Sequence, residues 1–302
     1  MNYADWLVWA ETQLMGNKKT DPFINPKVDA NLLLQFVTGR SRSSLLAFSE
    51  TILSAQELAQ LEKLLQRRVS CEPMAYILGQ QPFWTLDLRV SEDTLIPRAD
   101  TEILVENALI CAEERISSAQ FGEELKILDL GTGTGAIAIA LAQELRSRSK
   151  KSFKVSVVGV DLIDNAVNLA QDNAKRNDVD NILFYQSNWF ENLQDQRFDI
   201  IVSNPPYIDK DDPHLQLGDV RFEPLTALIA KEQGYADLRH IIINAPTHLK
   251  PQGWLLLEHG WLQGEKVRSF FQKNLWHNVI SRKDYHQHER ITLAQLNTRG
   301  ND

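Results

Sequence analysis

Ile127-Leu128-Asp129-Leu130-Gly131-Thr132-Gly133-Thr134-Gly135-Ala136 is the stretch that decides the fold. It reads as a strand, a glycine turn and the start of a helix. Glycines at such a turn let a ligand approach the backbone closely at the open end of a sheet. The next apolar run, residues 155–160, ends in Asp161, whose carboxylate can take both hydroxyls of a ribose. A nucleoside-type cofactor is therefore expected. The segment also satisfies G-x-G-x-x-A, so a nicotinamide dinucleotide competes, and the spacing to the acid does not separate the two. A tight turn with a purely structural role is the remaining reading.

Outward from this stretch, short apolar runs recur at 126–130, 155–160, 182–185, 198–202 and 255–258, with amphipathic segments between most of them. That alternation implies a mostly parallel sheet covered on both faces. Residues 279–296 hold two strand-like runs with no long helix between them, so an antiparallel hairpin is expected to close the sheet.

The first 75 residues read as helical. Trp6, Leu7, Ala10 and Leu14 repeat at helical spacing, as do Val28, Ala30, Leu32, Leu33 and Phe36 after Pro26. A third helix is expected from Ser54, an N-cap with Glu57 three residues on as a capping box. It carries Leu58, Leu61, Leu64, Leu65 and Val69. Pro73 ends this pattern, and residues 76–90 alternate as a hairpin would. The expected organisation is an N-terminal helical bundle at 1–75, a β-hairpin connector at 76–95 and an α/β Rossmann-like domain at 96–302.

The net charge of -8 lacks the basic footprint of a generic nucleic-acid binder. Cys71 and Cys111, the two cysteines, fit no metal spacing and no disulfide framework, which makes a reducing cytoplasm the default. The opening residues lack a basic n-region and a long apolar run, so no signal peptide is expected. No apolar stretch approaches the roughly 20 residues of a membrane span. A monomer is expected.

Asn204-Pro205-Pro206-Tyr207 follows the buried-strand run 198–203. Two prolines cannot donate ladder hydrogen bonds, so the strand must stop there, and their locked φ angles fix the neighbouring carbonyls. The Asn204 side-chain oxygen and a proline carbonyl can each accept one N–H of a planar NH2 group. The Tyr207 ring can cover its flat face. The plainer reading is a turn after a strand, since Asn-Pro commonly initiates turns. In a doubly wound sheet the ends of the first, second and fourth strands face one crevice, so Asp161 and Asn204 converge there. Asn188-Trp189 falls at the same edge. Trp189 could stack on an adenine and Asn188 hydrogen-bond it, or Trp189 could simply pack the sheet edge. A dinucleotide fold has no use for the Asn-Pro-Pro-Tyr tetrad, whereas S-adenosylmethionine-dependent amino methyltransferases place it at the mouth of the cofactor site.

The sequence resembles the HemK/PrmC family, the release factor glutamine methyltransferases. The resemblance rests on Glu72-Pro73-Met74-Ala75-Tyr76-Ile77-Leu78-Gly79, Phe83-Trp84, Leu95-Ile96-Pro97-Arg98-Ala99-Asp100-Thr101-Glu102, the glycine segment, Ser203 to Ile208, Asp219-Val220-Arg221-Phe222-Glu223-Pro224 and Leu257-Glu258-His259-Gly260. It implies a class I methyltransferase domain and an N-terminal helical domain that recognises the substrate. The implied reaction moves a methyl group from S-adenosyl-L-methionine to the side-chain nitrogen of the glutamine in the Gly-Gly-Gln loop of class 1 peptide release factors, leaving S-adenosyl-L-homocysteine. Carried over by position, Gly131, Thr132, Gly133, Thr134, Gly135, Asp161, Asn188, Trp189 and Asn204 would bind the cofactor. Asn204, Pro205, Pro206 and Tyr207 would hold the glutamine, with Asn204, Pro205 and Tyr207 as the catalytic set. One departure is that the family usually has an aspartate at the position of Asn188. The Asn oxygen still accepts a hydrogen bond, without the charge.

The chief alternative is an adenine-N6 methyltransferase on DNA or RNA, since the same tetrad can present an exocyclic amine after base flipping. It would need a basic groove, which the acidic balance does not offer. No metal is expected: His286-Gln287-His288 reads as a solvated loop. Arg98, Asp100 and Glu102 read either as a salt-linked helix entry or as site-shaping residues.

Overall fold

The computed structural model describes residues 1–16, 24–118, 124–148 and 154–297. The chain divides into two units, Met1–Gln80 with Pro213–Glu223, and Gln81–Asp212 with Pro224–Asp302.

The first unit is helical: α1 (Tyr3–Met15), α2 (Pro26–Thr38), α3 (Arg42–Ala47), α4 (Ala55–Val69) and α5 (Met74–Leu78). Asn2 caps α1 by accepting from Asp5 N at 2.8 Å. The capping box expected of α4 is present, with Ser54 Oγ accepting from Glu57 N and Glu57 Oε2 accepting from Ser54 N. Trp6, Ala10, Leu14, Leu61 and Leu65 are fully buried together. The inward face of α2 differs from the expected one: Ala30, Leu33 and Leu34 are buried, whereas Val28, Leu32 and Phe36 are exposed. A helix shows one stripe to the core, and too many apolar residues competed for it. Residues 76–78, expected to be extended, are helical because Pro73 precedes α5 and Gly79 ends it in the left-handed region at φ 71°. Arg68 is buried and its Nε donates to buried Asp29 Oδ2 at 2.7 Å.

The second unit opens with a hairpin, β1 (Gln80–Phe83) and β2 (Leu86–Arg89). It continues with α6 (Glu102–Ser118), β3 (Glu124–Leu130), α7 (Ala136–Arg148), β4 (Lys154–Asp161), α8 (Asp164–Arg176), β5 (Ile182–Gln186) and β6 (Phe198–Ser203). Then come α9 (Leu225–Leu228), α10 (Lys231–Gly234), α11 (Ala236–His248), β7 (Leu249–Glu258), α12 (Gly264–Ser269), β8 (Trp276–Lys283) and β9 (Glu289–Leu296). The seven-stranded sheet has the order β5-β4-β3-β6-β7-β9-β8, parallel except for β9, which is antiparallel to both its neighbours.

Alternation along the central strands fills both faces. Ile127, Ile200, Val202 and Leu256 join one core with α6, α7 and α8. Leu128, Leu130, Ile201, Leu255 and Leu257 join the other with α11 and α12. Every residue of β6 is buried, as a central parallel strand requires. β7 starts six residues before the expected 255, since Lys250-Pro251-Gln252-Gly253 reads as a turn. The strand passes it with a register shift against β6 and Gln252 at φ 62°. Among the described residues no helix is long and apolar enough to cross a membrane.

Candidate functional site

Parallel register aligns the carboxyl ends of four strands. Leu130 pairs with Val160 and with Ser203, and Ser203 pairs with Leu257. Gly131, Asp161, Asn204 and Glu258 therefore each stand one step beyond a common row, on strands about 4.8 Å apart. The chain order reverses between β3 and β6, and ligands bind at such a switch point. A cavity of about 400 Å³ opens there, lined by Gly131, Thr132, Gly133, Thr134, Asp161, Asn188, Trp189, Asn204 and Pro206 among others.

The glycine loop is held from beneath. Gly131 N and Thr132 N both donate to Val160 O at 2.9 Å. Thr132 Oγ1 donates to the fully buried Asp129 Oδ2 at 2.7 Å, and burial pushes the Asp129 carboxyl up to about 7. Gly131 and Gly133 have φ of 70° and 53°, and a Cβ on either would meet nothing closer than 3.6 Å. Their cost to a side chain is backbone strain on the wall of an open cavity. Gly135 serves differently. A Cβ there would stand 2.8 Å from Ile139 and 3.1 Å from Ala170 Cβ, so this glycine permits close packing of α7 on α8 and is absent from the cavity wall.

Asp161 Oδ2 accepts from Gly133 N at 2.8 Å and Oδ1 from Ile163 N at 3.0 Å. A carboxylate has about four acceptor sites, so capacity remains for a ligand hydroxyl. Burial raises the pKa, and these backbone donors oppose the rise. Trp189 has a left-handed backbone at φ 49°, with its ring carbons beside Gly131. Asn188 is exposed and its Nδ2 donates to Glu191 Oε1 at 2.7 Å, which leaves the Asn188 oxygen as the free acceptor.

In the tetrad, Asn204 and Pro206 line the cavity, whereas buried Pro205 and half-buried Tyr207, which packs against the core beside α11 and α12, are not part of its lining. Asn204 Nδ2 donates to Thr101 Oγ1 at 3.2 Å, so its Oδ1 is left to accept. Tyr207 OH donates to Glu258 Oε1 at 3.3 Å. Burial pushes the Tyr207 phenol up, helped by the neighbouring Glu258, so it stays a donor. The Tyr207 carbonyl accepts from Gln263 Nε2 at 3.0 Å, and a Cβ on Gly234 would stand 2.2 Å from that oxygen. Only glycine lets the chain pass so close to the tetrad.

Glu258 did not stand out as a site residue in the sequence. It is 1% exposed, and burial pushes its carboxyl up to about 7, against the pull of Thr101, Arg290 and Tyr207. Thr101, Thr94, Pro97 and Asp237 also line the cavity unforeseen. The signal for Thr101 was its dense motif, whose charged members are largely structural. Glu102 Oε1 accepts from Trp84 N at 2.8 Å, and Asp100 pairs with Arg290 at 3.4 Å. Asp100, Asp284 and His286 bring one ligand atom each within 4.8 Å of one another. Arg290 already supplies the positive charge to both acids, at 3.4 Å and 3.2 Å.

A methyltransferase domain family matches residues 122–294, and the PrmC N-terminal domain family matches residues 5–79. The hMettl16 catalytic domain, solved in complex with the MAT2A 3'UTR hairpin 6, superposes with a TM-score of 0.52 over 82% of this chain and 84% of that one. At 15% identity this likeness shows the fold alone. The release factor glutamine methyltransferase of Haemophilus influenzae (strain ATCC 51907 / DSM 11121 / KW20 / Rd) is 53% identical over 295 residues, 97% of this chain and 99% of the relative. That of Pasteurella multocida (strain Pm70) is 61% identical over 296 residues, again 97% and 99%. Identity of this degree over almost the whole length means that the chain belongs to the release factor glutamine methyltransferase family.

Proposed function

We infer that this protein methylates the side-chain amide nitrogen (N5) of the glutamine in the Gly-Gly-Gln motif of class 1 peptide chain release factors, with S-adenosyl-L-methionine as donor. The observation that carries the reading is the Asn204 amide. Its nitrogen is tied to Thr101, and its oxygen is left at a cavity whose opposite wall is the glycine loop. An acceptor oxygen held beside a proline carbonyl suits an NH2 group and disfavours a carboxylate substrate.

The residues fit the cofactor. Gly131 and Gly133 leave the cavity wall open, where a Cβ would meet nothing closer than 3.6 Å. Asp161 keeps lone pairs for the ribose hydroxyls, Trp189 offers a ring face to the adenine, and the Asn188 oxygen accepts from the adenine amine. When bound, S-adenosyl-L-methionine supplies a methyl group on a positively charged sulfonium, an electrophile with a good leaving group.

A glutamine amide nitrogen is a weak nucleophile because its lone pair is delocalised into the carbonyl. The protein's task is alignment. Asn204 Oδ1 and the Pro205 carbonyl hold the two N–H groups and favour a nitrogen whose lone pair faces the methyl group. Such positioning contributes up to roughly 7–11 kcal/mol in the best intramolecular cases. Tyr207, anchored through its hydroxyl, keeps the amide plane in place. No strong general base is needed, since the proton can leave after transfer. The helical unit is the candidate for recognising the release factor, and we expect a cytoplasmic monomer.

The reading is tested by incubating the protein with labelled S-adenosyl-L-methionine and a purified class 1 release factor, beside its Gly-Gly-Ala variant and adenine-containing DNA. Label on the intact factor alone supports it. Label on the DNA, or equal label on the Gly-Gly-Ala variant, contradicts it.

A further inference from the structure

Within Ile96-Pro97-Arg98-Ala99-Asp100-Thr101-Glu102, the structure gives Glu102 to the hairpin and Asp100 to Arg290. Thr101 does neither. It is 4% exposed, lines the cavity, and its Oγ1 accepts from Asn204 Nδ2 at 3.2 Å. The buried Glu258 Oε2 makes no hydrogen bond among the described residues. Glu258 sits one strand beyond Asn204 in the same row.

The Thr101 oxygen accepts from Asn204 Nδ2 through a lone pair, which holds the amide nitrogen on the Thr101 side and turns Oδ1 away from it. That lone pair accepts the Asn204 NH2 and repels its carbonyl oxygen. An asparagine side chain can otherwise flip end for end at little steric cost. A flipped Asn204 would present its own NH2 to the substrate's NH2.

We propose that Thr101 is a positioning residue that sets the Asn204 amide with its oxygen toward the substrate nitrogen. The proposal rests on the methyl-transfer reading above. Thr101 needs no contact with substrate or cofactor to act in this way.

Two substitutions separate positioning from packing. Thr101→Val keeps the shape and removes the hydroxyl, and Thr101→Ser keeps the hydroxyl and removes the methyl group. The measurements are kcat and KM for the release factor, the Kd of S-adenosyl-L-methionine by calorimetry, and the thermal midpoint. For Thr101→Val the expected result is a kcat lower by roughly 10- to 100-fold, with KM and Kd within about twofold of wild type. Thr101→Ser should keep kcat within about threefold of wild type, despite the lost packing. Wild-type turnover by Thr101→Val overturns the proposal, as does Thr101→Ser impaired as deeply as Thr101→Val. A Thr101→Val protein that loses cofactor binding along with rate assigns the residue to packing and also overturns it. If wild type labels no release factor, the functional reading itself fails and the proposal falls with it.

Discussion

At the scale of single residues, the site depends on which atom of each polar group is left over after the protein has used the rest. Asp161 accepts from the loop amides of Gly133 and Ile163 and keeps acceptor capacity on the cavity wall. Asp161→Ala should therefore raise the Kd of S-adenosyl-L-methionine by roughly 10-fold or more by calorimetry, the cost of losing charge-assisted hydrogen bonds. An unchanged Kd would exclude the ribose assignment. Gly131, Asp161 and Asn204 were legible in the sequence because each directly follows an apolar run, and the ends of parallel strands converge. Gly135 looked the same as its two neighbours, yet it faces Ala170, because the direction a turn glycine faces is set by packing. Thr101 and Glu258 were visible as motif members but not as neighbours of Asn204, since only the folded chain brings Thr101 to it and only the strand order sets Glu258 beside it.

At the scale of elements, the long and periodic segments were readable and the short ones were not. The α4 capping box and the C-terminal antiparallel pair stand where expected. α3 is six residues long, too short for a periodic signal, and residues 76–78 carry β-forming side chains that Pro73 and Gly79 hold in a helical turn. The face of α2 is fixed partly by a feature no hydrophobic pattern contains, the buried pair of Asp29 and Arg68. Burial raises the Asp29 pKa and Arg68 opposes the rise. Removing only the cation strands a buried carboxylate, so Arg68→Ala should destabilise the protein by about 3–5 kcal/mol in urea unfolding at neutral pH. A loss below about 1 kcal/mol would mean that the pair behaves as a surface one.

At the scale of the whole molecule, the mostly parallel sheet was legible from the alternation of apolar runs, because a βαβ chain repeats its pattern. The division of the chain was less so. Pro213–Glu223, which follows the tetrad in sequence, belongs with the helical unit, and contiguous reading cannot see such a return. Global stability should also record the site's chemistry. The Glu258 carboxyl titrates from an ordinary value of 4.5 when unfolded and is pushed up to about 7 by burial in the fold. The folded state then holds the proton more tightly, so this group's contribution is complete below about 4.5 and is lost as pH rises through about 7. Glu258→Gln has no charge to bury. Its stability relative to wild type should rise with pH and level off above 7, with a total change on the order of 3 kcal/mol. Asp129 shifts in both proteins and cancels from the difference. A flat difference from about pH 5 to about pH 8 would contradict the burial argument. The central claim is that Asn204 holds the substrate nitrogen, and its most direct measurement is single-turnover methyl transfer to a release factor by Asn204→Ala. The account predicts a folded protein whose rate is lower by about 100-fold or more, as for loss of a preorganised polar group at a reacting centre. Transfer at the wild-type rate would contradict it.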